Sequence, residues 1–278
     1  MGIAPGEGAV MSSGVRIALL LILGAMVAGA VIWWFATQAP APGVPPVPAP
    51  QPPASSAVAP APAIQHPVEE AAGPLAAGDV DNALAELLGR KAVTTFLETS
   101  DFPRRLVATV DNLGRAHAPP ALWPVRPTGG RFAVEEQPDG PVIARGNAAR
   151  YTPLVLMAEG VDTARAVQLY VRMYPLLQRA YEELGYPKRY FNDRLVEVID
   201  LLLATPQVEE PIRLRLVEVK GPIPSDRPWV RYEYADPALE SLTAGQKILL
   251  RAGPANARRL KAKLAEVRGH LAKGAAKR

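Results

Sequence analysis

Apolar and polar residues alternate along this 278-residue chain in three regimes. Residues 17–35 are nineteen consecutive positions without a charge, closing on Trp33, Trp34 and Phe35. At about 1.5 Å per residue such a helix nearly spans a hydrocarbon core of about 30 Å, with the aromatic trio at the far interface. Residues 39–67 carry eleven prolines among Ala, Val, Gly, Ser and Gln, which denies them helix and sheet and predicts an extended arm. From about residue 79 the spacing changes to alternating steps of three and four, the period of helices with one buried face.

Within that last regime the pattern predicts helices over 80–88, broken by Gly89, over 91–97, and over 102–113, opened by Asp101 with Pro103 just inside. Phe132 to Glu135 and Pro141 to Ile143, joined by Gln137-Pro138-Asp139-Gly140, read as a hairpin. The strongest helix follows Asp162, with Val167, Tyr170, Tyr174, Leu177, Tyr181 and Leu184 on one stripe, Pro175 as an interior kink and Gly185 as the stop. A second long helix is predicted over 190–204, with Phe191, Leu195, Val198 and Leu202 at the same spacing. Residues 212–219 and 229–234 alternate in strand fashion and are expected to pair as a second hairpin. Asp236-Pro237 restarts helix, Thr243 caps another, and Pro254 opens a last one whose stripe is Leu260, Leu264, Val267 and Leu271. The expected fold is mainly α: a helical bundle domain with one or two small β-hairpins, preceded by a single transmembrane helix and a Pro-rich linker.

The expected organisation is a cytoplasmic tail over 1–15, a transmembrane helix over 16–36 in contact with the lipid bilayer, a disordered Pro/Ala-rich linker over 37–78, an α-rich domain over 79–272 and a basic tail over 273–278. A cleaved signal peptide is the competing reading of the apolar run. An uncleaved anchor fits better, because the run exceeds the usual 7–15 residue signal core and its small-residue sites are followed by proline. Arg16 precedes the span and no Lys or Arg lies between Trp33 and Arg90, so the N-terminus is expected in the cytoplasm and the domain in the periplasm. Gly24 with Ala28 and Ala25 with Gly29 are small-residue pairs through which a second copy could pack, giving a homodimer through the transmembrane helix.

Candidate chemistry narrows the function classes. The chain has no cysteine, which removes thiol catalysis and Cys-ligated metal. His66, His117 and His270 fall in the linker, a loop and the last helix without helical pairing, so no metal site is expected. No P-loop, Gly-x-Ser-x-Gly or Gly-x-Gly-x-x-Gly precedes a helix, and no cofactor is expected. Glu182, Glu183, Asp193, Glu197 and Asp200 on two successive helices, near many tyrosines, have the composition of a glycan-cleaving cleft, against the simpler reading of a solvated face. All eight tyrosines lie between Tyr151 and Tyr234. Tyr170, Tyr174 and Tyr181 share the apolar stripe and read as core, whereas Tyr186, Tyr190, Asn192, Asp193 and Arg194 stand at the corner between two long helices and are the candidate partner-binding residues. Residues 251–278 hold nine Lys or Arg against one Glu, a basic helix for lipid or wall polymer or simply a solvated face. Periplasmic placement removes nucleic acid as a partner.

The run Leu169-Tyr170-Val171-Arg172-Met173-Tyr174-Pro175-Leu176, continued by Ala180-Tyr181-Glu182-Glu183-Leu184-Gly185-Tyr186-Pro187 and Tyr190-Phe191-Asn192-Asp193-Arg194-Leu195-Val196, resembles the signature of the bacterial DUF3014 family. Ala235-Asp236-Pro237 and Ala244-Gly245-Gln246-Lys247 are similar to its C-terminal part. The resemblance implies a proteobacterial envelope protein with a membrane anchor, a Pro-rich linker and a domain of unknown function. It brings no catalytic or binding residues. The reading that follows is a non-catalytic binding or adaptor domain of the envelope, recognising an envelope protein. The alternative is a peptidoglycan-binding or glycan-cleaving domain acting on a cell-wall polymer.

Overall fold

The computed structural model describes residues 62–69, 73–208, 211–218 and 227–275. The expected cytoplasmic tail, transmembrane helix and most of the linker lie outside these residues. Among the described residues no helix is long and apolar enough to cross a membrane.

The stripe Leu169, Met173, Leu177, Ala180 and Tyr181 decides the architecture, because it gives one helix a continuous apolar face along most of its length. Nine α-helices are described: α1 Val80–Leu88, α2 Arg90–Phe96, α3 Phe102–Leu113, α4 Thr152–Glu159, α5 Thr163–Glu183, α6 Phe191–Leu203, α7 Pro237–Glu240, α8 Ala244–Arg251 and α9 Pro254–Ala275. Helix α5 packs on α1, α3 and α6, and its stripe meets Val80, Leu84, Val107, Val110, Phe191 and Val198 in the main core. Helix α9 lies across α4, α5 and α6, where Leu271 with Leu264 and Val267 covers Val196 and Ile199.

Two small antiparallel sheets complete the fold. β1 (Val134–Gln137) pairs with β2 (Gly140–Ile143), and β3 (Leu214–Leu216) pairs with β4 (Tyr232–Tyr234). The hairpins touch where Ile143 donates its N–H to the Ile212 carbonyl at 3.0 Å. A satellite core of Ile212, Leu214, Tyr234 and Leu250 sits beneath them.

Helix starts follow local chemistry in three places. Asp162 accepts from the Arg165 N–H at the head of α5, Asp236 caps α7, and Thr243 with Gln246 forms a reciprocal capping box on α8. In two places they do not. Neither Asp79 nor Asp101 makes a side-chain cap, and Asp101 instead adopts a left-handed conformation with φ 54°. Gly245 has no room for a side chain: a Cβ there would stand 2.6 Å from a Leu202 methyl and 3.0 Å from the Leu113 carbonyl, so α8 lies directly against α3 and α6. The Ala244 N–H donates to the Arg115 carbonyl at 2.7 Å and the Gln246 amide to the Leu201 carbonyl at 2.9 Å, fastening the same junction.

The expected linker ran to residue 78, and its described residues 62–69 and 73–78 bear on the domain. Leu75 is buried in the main core and donates its N–H to the Arg172 carbonyl at 2.9 Å. Val68 packs against the same core.

Candidate functional site

The corner between α5 and α6 begins with a chain reversal. Helix α5 ends after Glu183, Gly185 takes φ 113°, and α6 starts at Phe191, where the N–H groups of Phe191 and Asn192 are among those of the first turn that no helical carbonyl can reach. Side chains of α5 supply the missing acceptors. The Gln178 Oε1 accepts from the Phe191 N–H at 2.9 Å and the Tyr174 hydroxyl from the Asn192 N–H at 3.3 Å. The Tyr174 hydroxyl in turn donates to Gln178 Oε1 at 3.1 Å, and Gln178 Nε2 donates to Glu182 and to the Arg189 carbonyl, both at 2.9 Å. Asn192 is almost fully buried. Its Oδ1 accepts from the Tyr170 hydroxyl at 2.8 Å, which turns its Nδ2 outward.

Residues 64–68 lie along that outward edge. The Asp193 carboxylate accepts the Gln65 N–H at 3.1 and 3.2 Å and the His66 N–H at 2.7 Å. Asn192 Nδ2 donates to the His66 carbonyl at 2.8 Å, and the Tyr190 hydroxyl accepts the Val68 N–H at 2.9 Å. Every one of these bonds is made to the main chain of the segment. Pro67, the residue without an N–H, occupies the position at which the corner offers no acceptor among the described residues. Beyond Val68 a cleft of about 580 Å³ continues along α5, lined by Val171, Tyr174, Pro175, Gln178, Arg179 and Tyr190.

The tyrosines beneath the corner form a packed row. Tyr170 meets Tyr174 edge-on at 5.7 Å, and Tyr174 meets Tyr190 at 5.2 Å. Burial pushes the Tyr170 phenol well above its ordinary range, with Tyr190 and Asp193 adding to it. Burial likewise raises Tyr174, reinforced by its contact with Tyr190. Both hydroxyls therefore stay protonated, as their donation to Asn192 and Gln178 requires.

Of the five residues expected to form a contact surface, Tyr190, Asn192 and Asp193 are brought together and Tyr186 and Arg194 are not. Tyr186 stacks on Tyr181 at 4.6 Å and donates to Asp111 at 3.3 Å. Arg194 reaches the same carboxylate at 3.1 Å through Nε, and its Nη2 donates to the Asp111 carbonyl at 2.9 Å. Asp111 is buried within α3, and Arg115 contacts both its carboxylate and the Tyr186 hydroxyl. Arg194 is thus a strut between α3 and α6. Gly114 makes room for it, since a Cβ there would stand 2.8 Å from its Nη2.

Asp111, Gln178 and residues 64–68 are the functional neighbours that the sequence pattern did not single out. A polar residue four positions after Tyr174 and four before Glu182 was the one available signal for Gln178.

The carboxylates with a glycan-cleaving composition are each engaged. Glu182 accepts from Gln178, Glu183 pairs with Arg179, Glu197 with Arg194 and Asp200 with Arg268, while Asp193 holds the segment. Several cations of the basic last helix are engaged too: Arg259 pairs with Glu159 at the surface, Lys263 with Glu266 of the same helix, and Lys261 donates to the Thr205 carbonyl. Among the described residues there is no group of three His, Asp or Glu side chains that could hold a metal ion.

No curated protein and no solved structure matches the chain. The model of the DUF3014 family, described as a protein of unknown function, matches residues 102–268, which include the whole corner from Tyr170 to Arg194 but not residues 64–68, and the chain belongs to that family.

Proposed function

We propose that this chain is a non-catalytic adaptor of the bacterial envelope. A single span over 16–36 anchors it in the inner membrane with its N-terminus in the cytoplasm, and its α-rich domain works in the periplasm by binding an envelope protein at Tyr190, Asn192 and Asp193. One observation carries the binding half of this reading: the three side chains take up main-chain N–H and C=O groups of a short segment that bends at Gln65 and His66, whose Val68 side chain packs on the core. A surface that recognises main chain this way suits a polypeptide partner, with specificity added by the cleft beyond it. The membrane half is supported by the uncharged run 17–35, by Arg16 before it and by the absence of Lys and Arg from there to Arg90.

The experiment is in-cell crosslinking of the full-length chain, followed by affinity purification and identification of what is attached. A reproducible envelope protein, lost when Tyr190 and Asp193 are both changed to Ala, is the expected result. Recovery of wall fragments alone, or of nothing, overturns the adaptor reading. Because the chain has no cysteine, Ser55→Cys gives a single thiol for the topology. It is expected to react with a membrane-impermeant maleimide added from the periplasmic side, and protection of that thiol contradicts the orientation.

A further inference from the structure

We infer that residues 64–68 are an exchangeable occupant of a peptide-binding groove, and that the partner bound at this corner is a short peptide segment that displaces them and repeats their bent main-chain pattern. The inference rests on the adaptor reading of the same corner and specifies both its ligand and its regulation.

The pattern can be read position by position. Gln65 gives an N–H to Asp193 and is itself exposed, so its side chain is not selected. His66 gives an N–H to Asp193 and receives the Asn192 amide on its carbonyl. Pro67 gives nothing and tolerates an imide nitrogen. Val68 gives an N–H to Tyr190 and packs its side chain against the main core. The ligand class is therefore a short peptide that bends at its first two positions, with free N–H groups at its first, second and fourth positions, proline accepted at the third, and a small apolar side chain at the fourth.

Two features mark the segment as an occupant rather than part of the frame. Its hold is a handful of hydrogen bonds with Pro67 and Val68 partly buried, and Ile64 at its start is 55 % exposed. Its bonds to the corner are also all made through its main chain, so another peptide with the same N–H and C=O groups can make them. The groove's donor is held independently of it: Tyr170 fixes Asn192, and the N–H groups of Phe191 and Asn192 are satisfied by Gln178 and Tyr174. A tethered occupant acts at an effective concentration in the millimolar range for a short linker, so a second peptide meets a groove already filled.

The test uses the full-length protein and a fluorescent, end-blocked peptide with the sequence of residues 63–69. Gln65→Pro with His66→Pro deletes two N–H groups from the tethered segment without touching the groove. This chain is expected to bind the peptide at least tenfold tighter than the wild type does. Adding Tyr190→Phe or Asp193→Ala is expected to weaken that binding at least tenfold, as is placing the same two prolines in the peptide. Equal binding by wild-type and proline-bearing chains, or binding indifferent to Asp193, overturns exchange. In the unaltered chain, millimolar peptide is expected to speed amide exchange at Gln65, His66 and Val68, and unchanged protection there overturns it independently of any variant. If the peptide fails in these assays while cells still yield a partner dependent on Tyr190 and Asp193, exchange is wrong and the adaptor reading stands. If exchange holds and no partner is captured, the reverse is true.

Discussion

The Asp193 carboxylate accepts the main-chain N–H of His66 at 2.7 Å, across 127 residues of sequence. A carboxylate that receives two consecutive backbone N–H groups makes charge-assisted bonds, stronger than neutral ones. Replacing Asp193 by Ala is therefore expected to free residues 64–68 without unfolding the domain. Hydrogen exchange followed by mass spectrometry should show their amides exchanging about tenfold to hundredfold faster, with α5 and α6 protected as before. Loss of protection throughout the domain would show that the segment belongs to the core.

Asp193 and Arg194 are neighbours in sequence with opposite duties. Arg194 is held on the buried Asp111, with only 15 % of its side chain exposed, and deleting either partner breaks a buried network that Arg115 and Glu197 compensate only in part. Arg194→Ala and Asp111→Ala are each expected to cost about 3–5 kcal/mol, read as a drop in the urea midpoint. Asp193→Ala, which undoes only the docking of residues 64–68, is expected to cost about 1.5–3 kcal/mol, in line with the faster exchange of that segment. Similar losses at 193 and 194 would contradict the division of labour.

This division explains what the sequence could and could not convey. Helices α1 and α3 fall where the spacing places them, Val80–Leu88 and Phe102–Leu113, because stripe and stop signals are local. Helix α4, Thr152–Glu159, has no such stripe: Thr-Pro-Leu-Val-Leu-Met-Ala-Glu is apolar on several sides, and its period is unreadable. Residues 192, 193 and 194 advance by about 100° each around α6, so a cluster that is contiguous in sequence is divided among three directions. Seeing that division required knowing that Asp111 of α3 lies on one side. The docking of residues 64–68 was equally hidden, since Pro-rich composition reads the same whether the chain is free or seated on a surface.

Four phenols should titrate late. Burial raises Tyr170 and Tyr174, Tyr181 and, despite the nearby Arg251, Tyr234 above the ordinary value. A group whose folded pKa is raised contributes stability that is complete below its unfolded value, about 10 for tyrosine, and is lost as pH climbs toward the folded value. The melting temperature is thus expected to fall as pH rises above about 10. Tyrosinate absorbance should show two classes, the late one appearing only as the domain unfolds. A single class titrating near 10 in the folded protein would mean that the tyrosine row beneath the corner is open to water.

The most direct measurement places a photo-crosslinking amino acid at Arg179. That side chain is 79 % exposed and lines the cleft that continues from Val68, and its ion pair with Glu183 is a surface pair of little energetic weight. Illuminated in cells, the full-length chain is expected to form an adduct with one envelope protein, mapped to a short segment of it and abolished by Asp193→Ala. An adduct that survives Asp193→Ala, or no adduct to any protein, would contradict the claim that this corner is where the domain binds its partner.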